Sequence, residues 1–164
     1  MKHALTLFVM SLLLTSAASA CTCDGLPPME VELSRAEVVF VGRVTQMAIE
    51  TRSEGNYSYE VMVCNFVLAE SLKGISTGKK TLSVFTRMAG TACGYRFELG
   101  QTYLVYANEH NGSLETNSCR RTKALTQPKQ EIVPINPFNS SPKIEIDDSG
   151  KKEAEQIRQL LKKK

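Results

Sequence analysis

The sequence predicts a mainly β fold, a five-stranded Greek-key barrel with one short helix and a C-terminal amphipathic helix. Two observations predict it: runs rich in Val, Phe and Tyr are separated by turn residues, and strands do not alternate with helices. The composition is that of a globular domain, since 42% of the 164 residues are hydrophobic and 23% are charged. The formal net charge of +3 is small and predicts no nucleic-acid partner.

Residues 1–20 have the pattern of a secretory signal peptide. Lys2 and His3 precede an apolar run at 4–14, and small residues follow it. The run is too short to span a bilayer, which takes about 20 residues. We therefore expect an exported protein, secreted or in the periplasm or cell envelope, where disulfides form. Cys21 directly follows the expected cleavage site, so a lipid anchor on this cysteine is an open alternative.

Five segments are predicted as strands. Segments 36–49 and 57–71 are rich in Val, Phe and Tyr and form a long β-hairpin around the polar residues 53–56. In the second segment both alternating sets of side chains are largely apolar, which indicates a closed or coiled sheet with both faces partly buried. The other three predicted strands lie between turn residues, at 81–86, 102–108 and 113–118.

Three connecting segments complete the predicted barrel domain and its linker. Residues 88–100 form a loop that contains Cys93. The short helix is predicted at 119–125. Residues 126–146 contain four prolines, a composition that opposes both helix and central strand and predicts an extended linker.

The last predicted element lies in residues 147–164 and is an amphipathic helix at 151–163. Acidic and hydroxyl side chains at 147–149 are suited to a helix start, and the lysines at 162–164 to a helix end. Its apolar residues recur at helical spacing: Ala154, Ile157, Leu160 and Leu161. We expect this stripe to pack on the barrel, and the tail to be peripheral to activity.

The number of cysteines is odd, so at most two intramolecular disulfides form and one thiol remains free. Cys64 is the natural free thiol, because it lies within a strand on an apolar face. Cys21 and Cys23 are too close in sequence to pair comfortably with each other, so each is expected to pair with a distant cysteine. Lipidation of Cys21 would leave four other cysteines, an even number. The number of cysteines therefore does not decide whether Cys21 forms a disulfide or carries a lipid.

His110 is the one histidine outside the signal segment, which excludes a site with several histidine ligands. It lies in a predicted turn at 108–112. A serine or cysteine nucleophile would need this residue as its base, and nothing near it in the sequence supports that role. The sequence therefore predicts that the protein is not an enzyme, and it indicates no cofactor.

Four short stretches of the sequence, three of which contain cysteines, together form a pattern. They are Cys21-Thr22-Cys23, the run Ala-Glu-Val-Val-Phe-Val-Gly at 36–42, Cys93-Gly94-Tyr95, and 114–119 followed by Arg121-Thr122. Together they resemble the netrin-like module. Within that group, residues 21–125 are most similar to the N-terminal inhibitory domain of the tissue inhibitors of metalloproteinases.

The resemblance implies an OB-like five-stranded barrel with two disulfides, Cys21 with Cys93 and Cys23 with Cys119. It also implies an inhibitory ridge, in which the α-amine and carbonyl of Cys21 chelate the zinc of a target protease and Thr22 enters its specificity pocket. The residues of this ridge are Cys21, Thr22, Cys23 and Asp24, with Thr91, Ala92 and Cys93 beside them.

The function implied by the resemblance is that of a secreted metalloproteinase inhibitor whose partner is a zinc metalloproteinase. The alternative is a netrin-like module that binds another extracellular or envelope protein and has no inhibitory activity. In that case a lipid on Cys21 is compatible with function, because the terminal amine is not needed. Contact with a membrane is expected only for a lipidated chain.

Overall fold

The computed structural model describes Cys23 and residues 25–88, 93–128 and 146–163. The predicted signal segment, residues 1–20, lies outside this part of the chain. In chain order the described elements are helix α1 (Met29–Arg35), strands β1 (Val38–Glu54), β2 (Tyr57–Lys73), β3 (Thr81–Arg87), β4 (Thr102–His110), β5 (Ser113–Glu115), β6 (Lys123–Ala124), β7 (Gln127–Pro128) and β8 (Ile146–Asp147), and helix α2 (Ser149–Lys162).

Five strands close into a barrel in the order β1, β2, β3, β5, β4 and back to β1. The closing pair, β1 with β4, runs antiparallel from Val38 opposite Ala107 to Arg43 opposite Thr102. Strands β3 and β5 are parallel, and the other pairs of the ring are antiparallel. A closed ring of five strands is the predicted OB-like Greek-key barrel, so the fold class is confirmed.

Strand β1 is buried on both faces in its N-terminal half, because the sheet separates two apolar clusters. Phe40 and Val44 belong to the cluster inside the barrel. Val39 and Val41 belong to the second cluster, on the opposite face of the sheet. A strand covered from both sides has a nearly continuous apolar sequence instead of an alternating one, and this explains the run at 36–42.

The two helices cover the second cluster from outside the barrel. Ala154 and Ile157 of α2 are fully buried there against Leu104 and Tyr106 of β4. Two residues of α1, Met29 and Leu33, are partly buried beside them. The expectation that the apolar stripe of the C-terminal helix packs on the barrel therefore holds for its first two members. Leu160 is half-buried and Leu161 is exposed.

The hairpin of β1 and β2 is longer than the sequence predicted. The ladder continues to Glu54 opposite Tyr57, and the turn is made by Gly55 and Asn56. The pairing shifts register at three points in β1, and such bulges strengthen the coiling of a hairpin. The first strand was predicted to end at residue 49, before the polar residues 53–56, but the cross-strand pairing extends the strand beyond the buried region.

The predicted helix at 119–125 is wrong. Residues 119–122 form a turn and loop, and β6 follows, in which Lys123 and Ala124 pair with Leu104 and Tyr103 of β4. Pairing with β4 outweighs the helix propensity of this short segment, as tertiary contacts commonly do. The neighbouring prediction of a strand at 113–118 is correct only for its first half, since β5 ends at Glu115.

The observed short helix is α1, which was not predicted from the sequence. It follows Pro28, and Glu30 and Glu32 lie in its first turn, where negative charge is favourable. Its C-terminal end is capped from β2, because Lys73 Nζ donates hydrogen bonds to the carbonyls of Leu33 at 2.7 Å and Ala36 at 2.6 Å. The residue that stabilises this helix end is thus about 40 positions away in sequence.

The predicted linker at 126–146 has its two ends paired. Gln127 lies opposite Asp147 and Pro128 opposite Ile146 in a two-stranded ladder. Residues 129–145 lie outside the described residues. Helix α2 begins at Ser149, two residues before the predicted start, and the N–H of Ser149 donates to Asp147 Oδ1 at 2.8 Å.

Candidate functional site at the disulfide cluster

Three cysteines meet beyond the C-terminal ends of β3 and β5. Cys23 and Cys119 form a disulfide with 5.4 Å between their Cα atoms, and Cys93 is disulfide-bonded as well. The Sγ atoms of Cys93 and Cys119 are 3.6 Å apart. The sulfurs of all three cysteines lie within 4.8 Å of one another. This is compact enough for a metal site, but disulfide sulfurs provide no thiolate ligand.

The structure brings together two residues of the predicted ridge, Cys23 and Cys93. The Cys23–Cys119 disulfide is one of the two pairings that the resemblance implies. The other pairing, Cys21 with Cys93, stays a prediction because Cys21 lies outside the described residues. Four further members of the ridge also lie outside them: Thr22, Asp24, Thr91 and Ala92.

Cys93 has an unusual backbone conformation, and contacts with Ser118 and of the next residue with β3 fix its position. Its φ is +62°, in the left-handed region that few residues other than glycine adopt. Its carbonyl accepts a hydrogen bond from the N–H of Ser118 at 2.9 Å, which joins the loop to the segment after β5. A Cβ atom on Gly94 would overlap the backbone carbonyls of Arg87 and Met88. The residue after Cys93 must therefore be glycine for the loop to lie against β3.

Tyr95, two residues after Cys93, binds the same loop to the barrel. Its N–H donates to Thr86 Oγ1 at 2.8 Å, and its ring packs against Phe97 at 4.7 Å and Tyr103 at 6.0 Å between centroids. Burial raises the pKa of the Tyr95 hydroxyl above its usual range. In the Cys-Gly-Tyr sequence, Cys93 therefore has the left-handed backbone, Gly94 allows the close approach to β3, and the ring of Tyr95 packs into the aromatic cluster.

A buried hydroxyl pair fixes the segment that contains Cys119. Thr116 Oγ1 donates to the carbonyl of Tyr106 at 2.7 Å and lies 2.8 Å from Thr122 Oγ1. Thr122 Oγ1 in turn accepts the N–H of Tyr106 at 3.0 Å. Both ends of the loop from 116 to 122 are therefore bound to β4. This fixes the position of the three residues Cys119, Arg120 and Arg121 within the loop.

Those three consecutive residues bind the N-terminal segment. Cys119 is bonded to Cys23. Arg120 forms an ion pair with Glu32 of α1 at 2.9 Å, and the Glu32 side chain is only 5% exposed. Arg121 Nη1 donates to the carbonyl of Pro27 at 2.9 Å. The chain from Cys23 to α1 is thus attached to the barrel by one covalent bond and two charge-assisted contacts.

Arg121 also binds Glu153, a buried carboxylate of α2. Arg121 Nε lies 2.8 Å from Oε1, and Lys123 Nζ and Tyr106 Oη each lie 2.6 Å from the same carboxylate. Burial raises the pKa of Glu153, but the hydrogen bonds from these three side chains lower it more, so its net pKa is below the ordinary value. The carboxylate is therefore charged at neutral pH.

These charged residues were not predicted from the sequence as part of the site. Arg120, Arg121 and Lys123 formed a basic cluster in the sequence, but their acidic partners are far away along the chain. A signal for Glu153 exists, since it lies four residues before Ile157 and next to Ala154, and so on the buried face of the helix. An acidic residue at such a position predicts a buried partner of opposite charge.

His110 and Cys64 are two further titratable candidates in the described part of the chain. His110 ends β4, and its ring nitrogens lie 4.0 Å from Glu54 and 3.9 Å from Glu115. Cys64 is fully buried in the barrel core, and burial raises the pKa of its thiol to about 12. A thiol with such a pKa is not a nucleophile at neutral pH.

No protein-family model matches the chain, and no curated protein matches its sequence. Among the described residues, no helix is both long enough and apolar enough to cross a membrane.

Proposed function

We propose that the protein is an exported inhibitor of zinc metalloproteinases that binds its target through Cys21 and Thr22. The observation that supports this function is the grouping of Cys23, Cys93 and Cys119 within 4.8 Å. The Cys23–Cys119 disulfide in this group attaches the chain two residues after the expected new N-terminus to the barrel, and the sulfur of Cys93 lies beside it. A terminus fixed in this way can act as a rigid ligand.

The chemistry of an N-terminal cysteine suits the open position of a catalytic zinc. Such a zinc has three protein ligands and keeps a fourth position for water. A neutral α-amine and the carbonyl of the same residue form a five-membered chelate ring that takes this position. The ordinary pKa of an α-amine, about 7.7 to 8.0, leaves an appreciable neutral fraction at pH 7.

Rigidity of the ridge supports tight binding. The Cys23–Cys119 disulfide, the Arg120–Glu32 ion pair and the hydrogen bond from Arg121 to Pro27 restrict the N-terminal segment before the target arrives. Little conformational entropy is therefore lost on association. The carbonyl of Cys93 accepts the N–H of Ser118, and Gly94 lies against β3, so this residue of the ridge is fixed as well.

The test compares two proteins that differ by one residue. Protein that begins at Cys21 is expected to inhibit a zinc endopeptidase, whereas a form with one extra Ala before Cys21 loses affinity at least about tenfold, or 1.4 kcal/mol. The extra residue converts the amine into an amide, which is a poor zinc ligand, and it moves bulk toward the metal. Intact mass confirms a free amine on Cys21, and equal thermal unfolding of both forms controls for folding.

A second variant separates the chelate from the pocket contact. Thr22→Gly leaves the amine and carbonyl of Cys21 unchanged, so it is expected to weaken inhibition of some zinc proteases more than others. Equal inhibition by the native and extended forms would exclude zinc chelation. No inhibition of any zinc protease by the free-amine form would favour the alternative, a module that binds another extracellular protein.

A further inference from the structure

We propose that Glu153 is a positioning residue for the N-terminal segment, and that it acts through Arg121. This inference rests on the proposed function, because the segment that Arg121 holds leads directly to the cysteines of the inhibitory ridge. It gives helix α2 a role in target binding, whereas the sequence predicted a peripheral tail.

Arg121 uses three nitrogen atoms on two partners from different parts of the chain. Nε and Nη2 donate to the two carboxylate oxygens of Glu153, Nε at 2.8 Å. Nη1 donates to the backbone carbonyl of Pro27 at 2.9 Å. A guanidinium group is planar, so a bidentate carboxylate fixes the direction in which the third nitrogen points. The position of Glu153 therefore determines where Arg121 presents a donor to Pro27.

Glu153 is itself held rigidly, which makes it a fixed point for Arg121. Its side chain is 5% exposed. Besides Arg121, it accepts hydrogen bonds at 2.6 Å from Tyr106 of β4 and from Lys123 of β6. One carboxylate thus joins helix α2, two strands and, through Arg121, the N-terminal segment.

Among the described residues, the chain between Cys23 and helix α1 is attached by the disulfide to Cys119 and by the hydrogen bond from Arg121 to Pro27. With both in place, the segment has few accessible conformations. When the second is lost, the segment is held only at its two ends, by the disulfide and by helix α1, and its middle gains conformational freedom. A more mobile segment binds its target more weakly, because association must then order it.

The first test changes the charge of Glu153 and keeps its size. In Glu153→Gln the side chain still offers an acceptor to Tyr106, but it no longer holds the guanidinium through two charged contacts. Inhibition of a zinc protease is expected to weaken roughly three- to tenfold, measured well below the unfolding temperature so that every molecule is folded. The matched control is Glu155→Gln on the same helix, where the carboxylate is largely exposed and pairs with Arg158 at 2.7 Å. This control is expected to inhibit like the native protein.

The second test measures the segment itself without any protease. In the native protein and in Glu155→Gln, the ¹⁵N order parameters of Gly25 and Leu26 are expected near the rigid value of about 0.85. In Glu153→Gln they are expected to fall clearly below it. A purely stabilising role of Glu153 would lower the melting temperature and leave these order parameters of the folded protein unchanged.

Arg121→Lys tests the route from Glu153 to Pro27. A lysine keeps an ion pair with Glu153, but a single ammonium lacks the planar geometry that reaches the carboxylate twice and Pro27 at once. The variant is therefore expected to fold and to show the same loss of order at Gly25 and Leu26. Native order parameters in either Glu153→Gln or Arg121→Lys would overturn the proposal. If the native protein inhibits no zinc protease, the proposed function fails, and the order parameters still decide whether Glu153 positions the segment.

Discussion

Cys64 differs from the other described cysteines in both place and chemistry. It lies within β2 and is fully buried in the barrel core, where it packs in one cluster with Phe66 and Val84. It is the free cysteine of the described residues. Burial disfavours the thiolate and raises the pKa of Cys64 to about 12. A cysteine in this environment behaves as a small apolar side chain.

We predict that a thiol reagent at pH 8 modifies Cys64 only after unfolding. In the native protein the side chain of Cys64 is buried away from the reagent, and its thiol stays protonated at this pH. Cys64→Ala is expected to lower the free energy of unfolding by about 1 to 2 kcal/mol, as for a small buried group. Mass spectrometry of peptides prepared without reduction checks the partners, with Cys23 linked to Cys119 and Cys21 to Cys93. Cys64 in any disulfide would contradict both the pairing and the resemblance to the netrin-like module.

Helix α2 is attached to the barrel by an apolar contact and by ion pairs of very different quality. Gly150 lets the first turn approach closely, since a Cβ there would overlap the carbonyl of Ala124. Arg158 binds Glu70 of β2, but both side chains are about one-third exposed, and such surface pairs contribute little. Glu153 is buried among three donors, so its loss is the more costly change.

The lowered pKa of Glu153 predicts a specific dependence of stability on pH. A carboxyl group with a depressed pKa in the folded state stabilises that state above its unfolded pKa, about 4.3, and the effect is lost as the pH falls through the lower folded value. Glu153→Gln is expected to lower the free energy of unfolding at pH 7 by about 2 kcal/mol.

Urea unfolding of both proteins between pH 7 and pH 2 checks this prediction. The difference between them is expected to be constant down to about pH 5 and to shrink below the ordinary carboxyl pKa of about 4.3. A difference that stays the same at the lowest pH would mean that the charge of Glu153 does not stabilise the fold.

In the part of the chain that the structure describes, two apolar clusters share the strands β1 and β4. The cluster inside the barrel is made by the strands with Phe97, from the loop between β3 and β4, and contains no residue of α2. The second cluster is completed by Ala154 and Ile157. The barrel core can therefore persist without the C-terminal helix, whereas the outer face of β1 and β4 cannot stay covered.

We predict that a chain ending at Ile146 still unfolds cooperatively, with a free energy of unfolding lower by roughly 4 kcal/mol from the lost burial of Ile157 and the lost Glu153 contacts. Calorimetry of the truncated and full chains gives this difference. A chain that ends at Leu161 is the control and should unfold like the full chain. Loss of all cooperative unfolding after truncation at Ile146 would place α2 in the main core.

The sequence predicts the barrel well because its strands have their own local signals. Alternation and β-branched residues at 57–71, 81–86 and 102–108 depend on neighbours within each segment. Helix α1 was missed because it spans seven residues and is stabilised by Lys73 and Arg120, which are distant in sequence. The segment 119–125 was misassigned for the opposite reason, since its helix-forming residues are overruled by pairing with β4.

The Cys23–Cys119 disulfide also makes the domain a covalent ring. The two cysteines are 96 positions apart, and every strand of the barrel from Val38 to Glu115 lies between them. A single cut by a protease at the exposed hairpin tip, between Gly55 and Asn56, would open this ring without releasing a fragment. The product would be a two-chain molecule whose halves stay joined at the rim of the barrel, and it would separate into two pieces only after reduction and unfolding.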